Sequence, residues 1–215
     1  MIVSFLYYAK NKRSLRFGLV SPTNEADLVL PTHNEGPELN ERQYAVLIRK
    51  FIDRMTAVGM NDIQIVAPDV ANMVTGIKKY IPELMRDPVI MRNTKFIGLH
   101  SYEGYYADVD SLIKTSAYPE KEFWITEWNA GCAGCDNGIV ADFNYDFAAK
   151  SVGNLLELLK NGAAAAIAWE GYDSYYEHHA PSPFSYWGIL GYDPKTKTYS
   201  PRKNFYAIQQ VSKFV

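Results

Sequence analysis

"WITEWN", residues Trp124 to Asn129, reads as a buried strand that ends in a carboxylate. Tryptophan, isoleucine and threonine favour strands, and Glu127 stands where this strand ends. A charged side chain at such a place is costly to remove from water. We therefore expect Glu127 to have a partner elsewhere in the chain.

Strands and helices alternate along the sequence on both sides of this stretch. Five alternations indicate a parallel α/β sheet with crossover helices, and the nearly continuous apolar strands indicate burial on both faces. The predicted strands are Arg16–Ser21, Asp62–Ala67, Lys95–His100, Glu122–Trp128 and Ala163–Trp169. The predicted helices are Ile2–Lys12, Glu41–Gly59, Val70–Tyr80 with a break at Pro82, Asp108–Ser116, Ala141–Lys160 and Pro201–Val215.

An open doubly wound sheet and a barrel both fit this alternation. Polar and aromatic residues follow the strands, in "SPTNE", "HSYEGYY", "TEWN" and "WEGYDS". Barrel enzymes build their active sites at the carboxyl ends of their strands. A nucleotide-binding doubly wound sheet would carry a glycine-rich turn after its first strand, and none is present here. The pattern favours the barrel.

The predicted partner of Glu127 is Glu25, which closes "SPTNE" 102 positions earlier. Three strand–helix units of about 34 residues fit this separation, so both side chains are expected at one rim. Two carboxylates about 5–5.5 Å apart serve a retaining glycosidase as acid/base and nucleophile. Each glutamate alone could instead be a solvated rim residue or a partner of a basic side chain. The neighbouring Asn24 fits either a hydrogen bond to a sugar 2-hydroxyl or a turn after Pro22.

These motifs together resemble the glycoside hydrolases of clan A, in the style of families thirty and thirty-nine. In that clan an Asn–Glu pair ends barrel strand four and the nucleophile ends strand seven. The resemblance implies that Glu25 is the acid/base and that Glu127 is the nucleophile. It also implies that "HSYEGYY" and "AWEGYDS" belong to strands six and eight. The implied sugar-binding residues are Asn24, His100, Tyr102, Trp128 and Trp169, although a core histidine, a rim aromatic and a packed indole are the alternative interpretations of His100, Tyr102 and Trp169.

On this resemblance the chain covers strands four to eight, so its predicted fold is an incomplete TIM (β/α)8 barrel of about five parallel strand–helix units. Five strands cannot close with the tilt and stagger of eight, and unpaired edges and apolar faces would remain. A fragment of a longer protein, a second copy covering the edges, and a flattened sheet all stay open. We expect a homo-oligomer, with a missing N-terminal barrel part as the alternative.

Composition excludes several classes of function. A net charge of −2 gives no reason to expect a nucleic-acid partner, and no apolar run approaches the roughly 20 residues of a membrane helix. No composition shift divides residues 1–215, so a single domain is predicted. No signal peptide is visible, and a secreted or cell-surface location follows only by analogy with the resembling family. Cys132 and Cys135 read as a local disulfide or two free thiols, and His178 and His179 as polar loop residues, so neither a metal nor another cofactor is predicted.

The leading hypothesis is a retaining β-glycoside hydrolase that acts on an oligo- or polysaccharide through two glutamates. The second is a catalytically impaired, truncated barrel that binds carbohydrate or serves as an assembly unit. An α/β enzyme with a serine or cysteine nucleophile is a third hypothesis, against which the sequence offers no G-x-S-x-G motif.

Overall fold

The computed structural model describes residues 1–28, 37–103, 107–130, 145–174, 187–193 and 195–214. Its helices are α1 Ile2–Arg13, α2 Glu41–Ala57, α3 Met73–Thr75, α4 Ile81–Met85, α5 Pro88–Asn93, α6 Ala107–Lys114, α7 Tyr145–Lys160 and α8 Lys203–Phe214, with a π-helical stretch Gly76–Tyr80 between α3 and α4. Its strands are β1 Leu19–Val20, β2 Gln64–Asn72, β3 Thr94–Glu103, β4 Glu122–Trp128, β5 Ala165–Ala168, β6 Tyr172–Ser174, β7 Leu190–Asp193 and β8 Thr198–Pro201.

The first five strands form one sheet in the chain order β1-β2-β3-β4-β5. β1 pairs in parallel with β2, with Leu19 opposite Gln64, and β2 pairs in parallel with β3. The predicted five-stranded parallel α/β sheet is therefore confirmed. The described residues divide into two compact units, of which the first is Met1–Thr126 with Gly162–Ala165 and the second is Glu127–Asn161 with Ala166–Val215. Because the division falls within strands rather than in a linker, the single domain stays a prediction.

Helix α2 shows how the sequence builds the first unit. Asn40 caps it, since its side chain accepts hydrogen bonds from the backbone N–H groups of Arg42 and Gln43, and the Gln43 side chain accepts from the N–H of Asn40. Beyond the last turn, Gly59 has φ +70°, which suits glycine and ends the helix. The buried face of α2 consists of Tyr44, Ile48, Ile52 and Met55, and burial of each such side chain contributes roughly 1.5–3 kcal/mol.

The second unit contains α7, α8 and a small sheet. α7 packs against α8, and the buried residues of α7 are Phe147, Ala148, Ser151, Leu155 and Leu158. The small sheet has the order β6-β7-β8, parallel between β6 and β7 and antiparallel between β7 and β8. Arg202 is the residue between β8 and α8. Its guanidinium group donates a hydrogen bond to the Gly188 carbonyl at 2.8 Å.

Several predicted boundaries are wrong for identifiable reasons. The predicted strand Arg16–Ser21 shrinks to Leu19–Val20, and the predicted helix Val70–Tyr80 begins only at Met73 because Val70–Asn72 continue β2. Their apolar spacing imitates a helix, although the backbone N–H groups of Ala71 and Asn72 bond to another segment. Pro82 lies in the first turn of α4, where a missing N–H is tolerated.

The small sheet β6–β8 was not predicted, since its three short strands carry no alternating pattern long enough to detect. Within the part of the chain that the structure describes, no helix combines the length and apolar character needed to cross a bilayer.

Candidate functional site

The loop that follows β1 is fastened to the carboxyl end of β2 by an aspartate. The two carboxylate oxygens of Asp27 accept hydrogen bonds from the backbone N–H groups of Ala71 and Asn72, at 2.8 and 3.0 Å. Because these N–H groups lie in an irregular part of β2, where its pairing with β3 shifts register, they need acceptors outside the sheet. The "SPTNE" loop is thereby held at a fixed place on the first unit.

A second connection runs between the backbones of Glu25 and Asp69. The Glu25 N–H donates to the Asp69 carbonyl at 2.9 Å. Both residues have left-handed backbones, with φ of +46° and +59°. This conformation is uncommon for residues other than glycine, and it is less tolerated by glutamate than by aspartate. Such strained residues concentrate at functional sites, where the surrounding structure enforces them.

His100, at the carboxyl half of β3, lies between two carboxylates. Its Nδ1 is 2.9 Å from Oε1 of Glu25, and its Nε2 is 3.4 Å from Oδ1 of Asp69. The residue is only 1% exposed. The edge of the neighbouring Tyr102 ring meets the imidazole at a centroid distance of 5.8 Å, while Tyr102 itself is 40% exposed. The sequence-predicted residues Glu25, His100 and Tyr102 are thus brought together within the first unit.

Asp69 is buried in a shell of donors. The hydroxyl of Ser21 donates to its Oδ2 at 2.5 Å, and the hydroxyl of Thr126 donates to its Oδ1. Burial raises the pKa of Asp69, but the hydrogen bonds from His100, Ser21 and Thr126 outweigh burial and hold the pKa below its usual value of 3.8. Asp69 is therefore an ionised carboxylate at neutral pH.

Sequence reasoning missed Asp69, Ser21 and Thr126. The available signal was "APD" at the carboxyl end of the second strand, because an acid at that position equals the placement used to select Glu25 and Glu127. It was overlooked because Asp69 fell between the predicted strand Asp62–Ala67 and the predicted helix that begins at Val70, although β2 in fact continues to Asn72.

The structure describes two of the remaining predicted site residues by their own elements. Asn24 is exposed in the loop before Glu25. Glu127 is the penultimate residue of β4 and is partly exposed. The cysteines Cys132 and Cys135 and the histidines His178 and His179 fall outside the described residues.

Trp128 and Trp169 lie together in the second unit. The Trp169 N–H donates to the Trp128 carbonyl at 2.8 Å, and both side chains line a small cavity with Phe147, Trp187 and Asn204. Trp128 is only 2% exposed, and its indole Nε1 has no hydrogen-bond partner among the described residues. The sugar-binding roles of both tryptophans stay predictions.

The fold matches those of SrfJ and of solved glycoside hydrolases over about half their length. SrfJ from Salmonella typhimurium superposes with a TM-score of 0.74 at 15% identity, over 100% of this chain and 46% of that protein. The endo-β1,6-glucanase BT3312 superposes with a TM-score of 0.72 at 18% identity, over 98% of this chain and 46% of the glucanase. A GH39 β-xylosidase from Caulobacter crescentus superposes with a TM-score of 0.68 at 18% identity, over 99% of this chain and 46% of the xylosidase. Comparisons with models of protein families and with curated proteins give no match.

This likeness confirms the predicted clan A resemblance at the level of the fold. The five parallel strands and their helices correspond to part of a TIM barrel of the kind found in families 30 and 39. At sequence identities of 15–18%, this likeness shows a shared fold and nothing more. The chain spans slightly less than half the length of the solved structures that it matches.

Proposed function

We propose that this chain is a retaining β-glycoside hydrolase unit that acts on an oligo- or polysaccharide, with Glu25 as acid/base and Glu127 as nucleophile. The proposal rests on the environment of Glu25. Its Oε1 lies 2.9 Å from Nδ1 of the buried His100, and its own backbone is left-handed. A solvated rim glutamate would need neither the buried partner nor the strained backbone. The glycoside hydrolase fold of the chain supports this interpretation.

Glu127 is proposed as the partner because of its place in the sheet. β4 neighbours β3, the strand that carries His100. In the chain Glu127 directly follows Thr126, whose hydroxyl donates to Asp69. Retaining chemistry requires carboxyl groups about 5–5.5 Å apart, and this separation is what the proposal expects for Glu25 and Glu127.

In the proposed reaction Glu127 attacks the anomeric carbon while the bond to the leaving oxygen breaks and Glu25 transfers its proton to that oxygen. Glu25 then removes a proton from water, and the water oxygen displaces Glu127 from the sugar. The exposed ring of Tyr102 lies against His100, the hydrogen-bond partner of Glu25, and offers a surface on which a sugar could stack.

The test uses 4-nitrophenyl β-glucoside and β-xyloside, sugars chosen because solved structures of similar fold include a β1,6-glucanase and β-xylosidases. We expect turnover that Glu127→Gln abolishes. For Glu25→Ala, azide should restore turnover and yield a β-glycosyl azide. The matched control is Glu157→Gln, which changes an exposed glutamate of α7 and should leave turnover unchanged. Turnover that survives both site substitutions would refute the assignment.

A second candidate is a sugar-binding or assembly unit without turnover. The observation in its favour is that the chain matches only 44–46% of each solved relative. A 2-fluoro β-glucoside separates the two candidates, because a retaining enzyme becomes covalently labelled on Glu127. Saturable glucose-oligomer binding by calorimetry, without labelling or turnover, would favour this second candidate.

We also propose that the chain functions as a homo-oligomer, with a separately supplied N-terminal barrel part as the alternative. Helix α1 leaves Phe5, Tyr7 and Tyr8 exposed, and such aromatic side chains are common at protein interfaces. Sedimentation analysis should give a dimer or larger particle, and Phe5→Ser should shift it toward monomer. A monomer at all concentrations would contradict self-association.

A further inference from the structure

The imidazole of His100 faces a carboxyl group at each of its two nitrogens. Nδ1 lies 2.9 Å from Oε1 of Glu25, and Nε2 lies 3.4 Å from Oδ1 of Asp69. A neutral imidazole carries one N–H and can donate to only one of them. At 1% exposure the ring has little access to water. The protonation of each ring nitrogen therefore depends on which of these two carboxyl groups is ionised.

Asp69 is the group that stays ionised. The hydroxyls of Ser21 and Thr126 already donate to it. An ionised carboxylate can only accept hydrogen bonds, so the nitrogen that faces Asp69 must carry a proton. The other nitrogen, Nδ1, then faces Glu25. It accepts from the carboxyl group when Glu25 is protonated, and it donates as part of an imidazolium when Glu25 is ionised.

We propose that Asp69 is a positioning residue that fixes His100 in its Nε2-protonated form, so that one proton is held between Nδ1 of His100 and Oε1 of Glu25. This inference rests on the proposed function, in which Glu25 must lose and regain one proton in each catalytic cycle. Asp69 also accepts the Glu25 N–H at its backbone carbonyl. It therefore orients Glu25 through the main chain and through the imidazole.

The first test needs no substrate and no substitution in the assayed protein. Nitrogen-15 NMR of the full chain, labelled at its four histidines, reports which ring nitrogens carry hydrogen, and a His100→Gln spectrum identifies the His100 signals. We expect Nε2 of His100 to be protonated at neutral pH. An unprotonated Nε2 would overturn the proposal. This outcome is independent of whether the chain hydrolyses any glycoside.

The second test changes the carboxylate. An amide in Asp69→Asn offers a donor as well as an acceptor, so we expect a measurable fraction of His100 to move its proton to Nδ1. The matched control is Ser21→Ala, which removes a hydrogen bond to Asp69 but keeps the charge, and it should preserve the Nε2 proton. An unchanged His100 spectrum in Asp69→Asn would overturn the role of Asp69. If Asp69→Asn does not fold, the spectrum of the unmodified chain still decides the proposal.

Turnover gives a further readout that a purely structural role would not produce. On a substrate with a poor leaving group, Asp69→Asn should lower kcat about 10- to 100-fold, by comparison with the range for loss of the carboxylate partner of a metal-ligating histidine. KM should stay nearly constant. On a dinitrophenyl β-glycoside, whose dinitrophenolate group leaves without a proton, the rate of the glycosylation step should change little. Equal losses of kcat/KM on both substrates would overturn the proposal. Absence of turnover in the unmodified chain would instead refute the proposed function and leave the NMR result standing.

Discussion

The fastening of the Glu25 loop by Asp27 leads to a quantitative prediction about stability. The Asp27 carboxylate accepts two backbone hydrogen bonds, at 2.8 and 3.0 Å. A hydrogen bond to a charged group contributes roughly 1.5–3 kcal/mol. Asp27 is half-buried, so water can partly replace the lost acceptor and the lower end of that range applies. We expect Asp27→Ala to lower the free energy of unfolding by about 3 kcal/mol.

The stability of Asp27→Asn should lie between those of the unmodified chain and Asp27→Ala. Its amide oxygen keeps one bond of neutral strength, worth about 1 kcal/mol, so the loss should be about 2 kcal/mol. Urea unfolding followed by far-ultraviolet circular dichroism measures both values. In a chain of this size, about 3 kcal/mol also corresponds to a fall in Tm of roughly 6–12 °C.

The control is Asp53→Asn in α2, which removes an exposed and long ion pair with Arg49 at 3.4 Å. Exposed pairs of this kind contribute little, so the change should stay within about 0.5 kcal/mol. The reasoning would be refuted if Asp27→Ala were no more destabilising than Asp53→Asn. In that case the loop would not be held by the carboxylate.

Three further predictions concern neighbouring features. A Cβ on Gly98 would lie 2.6 Å from Cγ1 of Val66, so Gly98→Ala should lower the unfolding free energy by about 1–3 kcal/mol, and an unchanged urea midpoint would contradict the packing. Asn40→Ala removes the α2 cap and should destabilise by about 1 kcal/mol, whereas Gln43→Ala, which keeps the cap acceptor, should be milder in the same assay. Because the pKa of Asp69 is lowered on folding, its charge stabilises the folded state above pH 3.8, and this stabilisation is lost as the pH falls further. The loss of stability caused by Asp69→Asn should therefore be constant from pH 7 to about 5 and shrink below pH 3.8. A loss that grows in acid would contradict the assignment.

The sequence predicts the sheet well because long apolar strands are strong signals. β4 was placed at its observed bounds, and the α2 start at Glu41 matches its cap at Asn40. The sequence fails where tertiary hydrogen bonds override local spacing. Val70 and Met73 lie three apart as in a helix, yet Val70 belongs to a strand whose end is supported by Asp27.

The candidate site was predicted in part for a related reason. Glu25 was selected because it follows a strand and His100 because of the resemblance to clan A, and their hydrogen bond joins them in the structure. Asp69 was missed because the position rule was not applied to the two residues between the predicted strand Asp62–Ala67 and the predicted helix Val70–Tyr80. The pairing of Nε2 with Asp69 depends on the register between β2 and β3, where Pro68 lies opposite Gly98. No pattern along the chain reveals that register.

The left-handed backbone at Glu25 sets a conflict between durability and chemistry. Replacement by glycine would relieve an unfavourable conformation, so mutational drift toward a sturdier molecule would tend to erase the carboxyl group. Descendants that had lost the reaction would be expected to carry glycine or asparagine there, whereas those under selection for hydrolysis would keep glutamate at a thermodynamic penalty. The identity of this one residue in relatives would thus indicate whether the proposed chemistry is under selection.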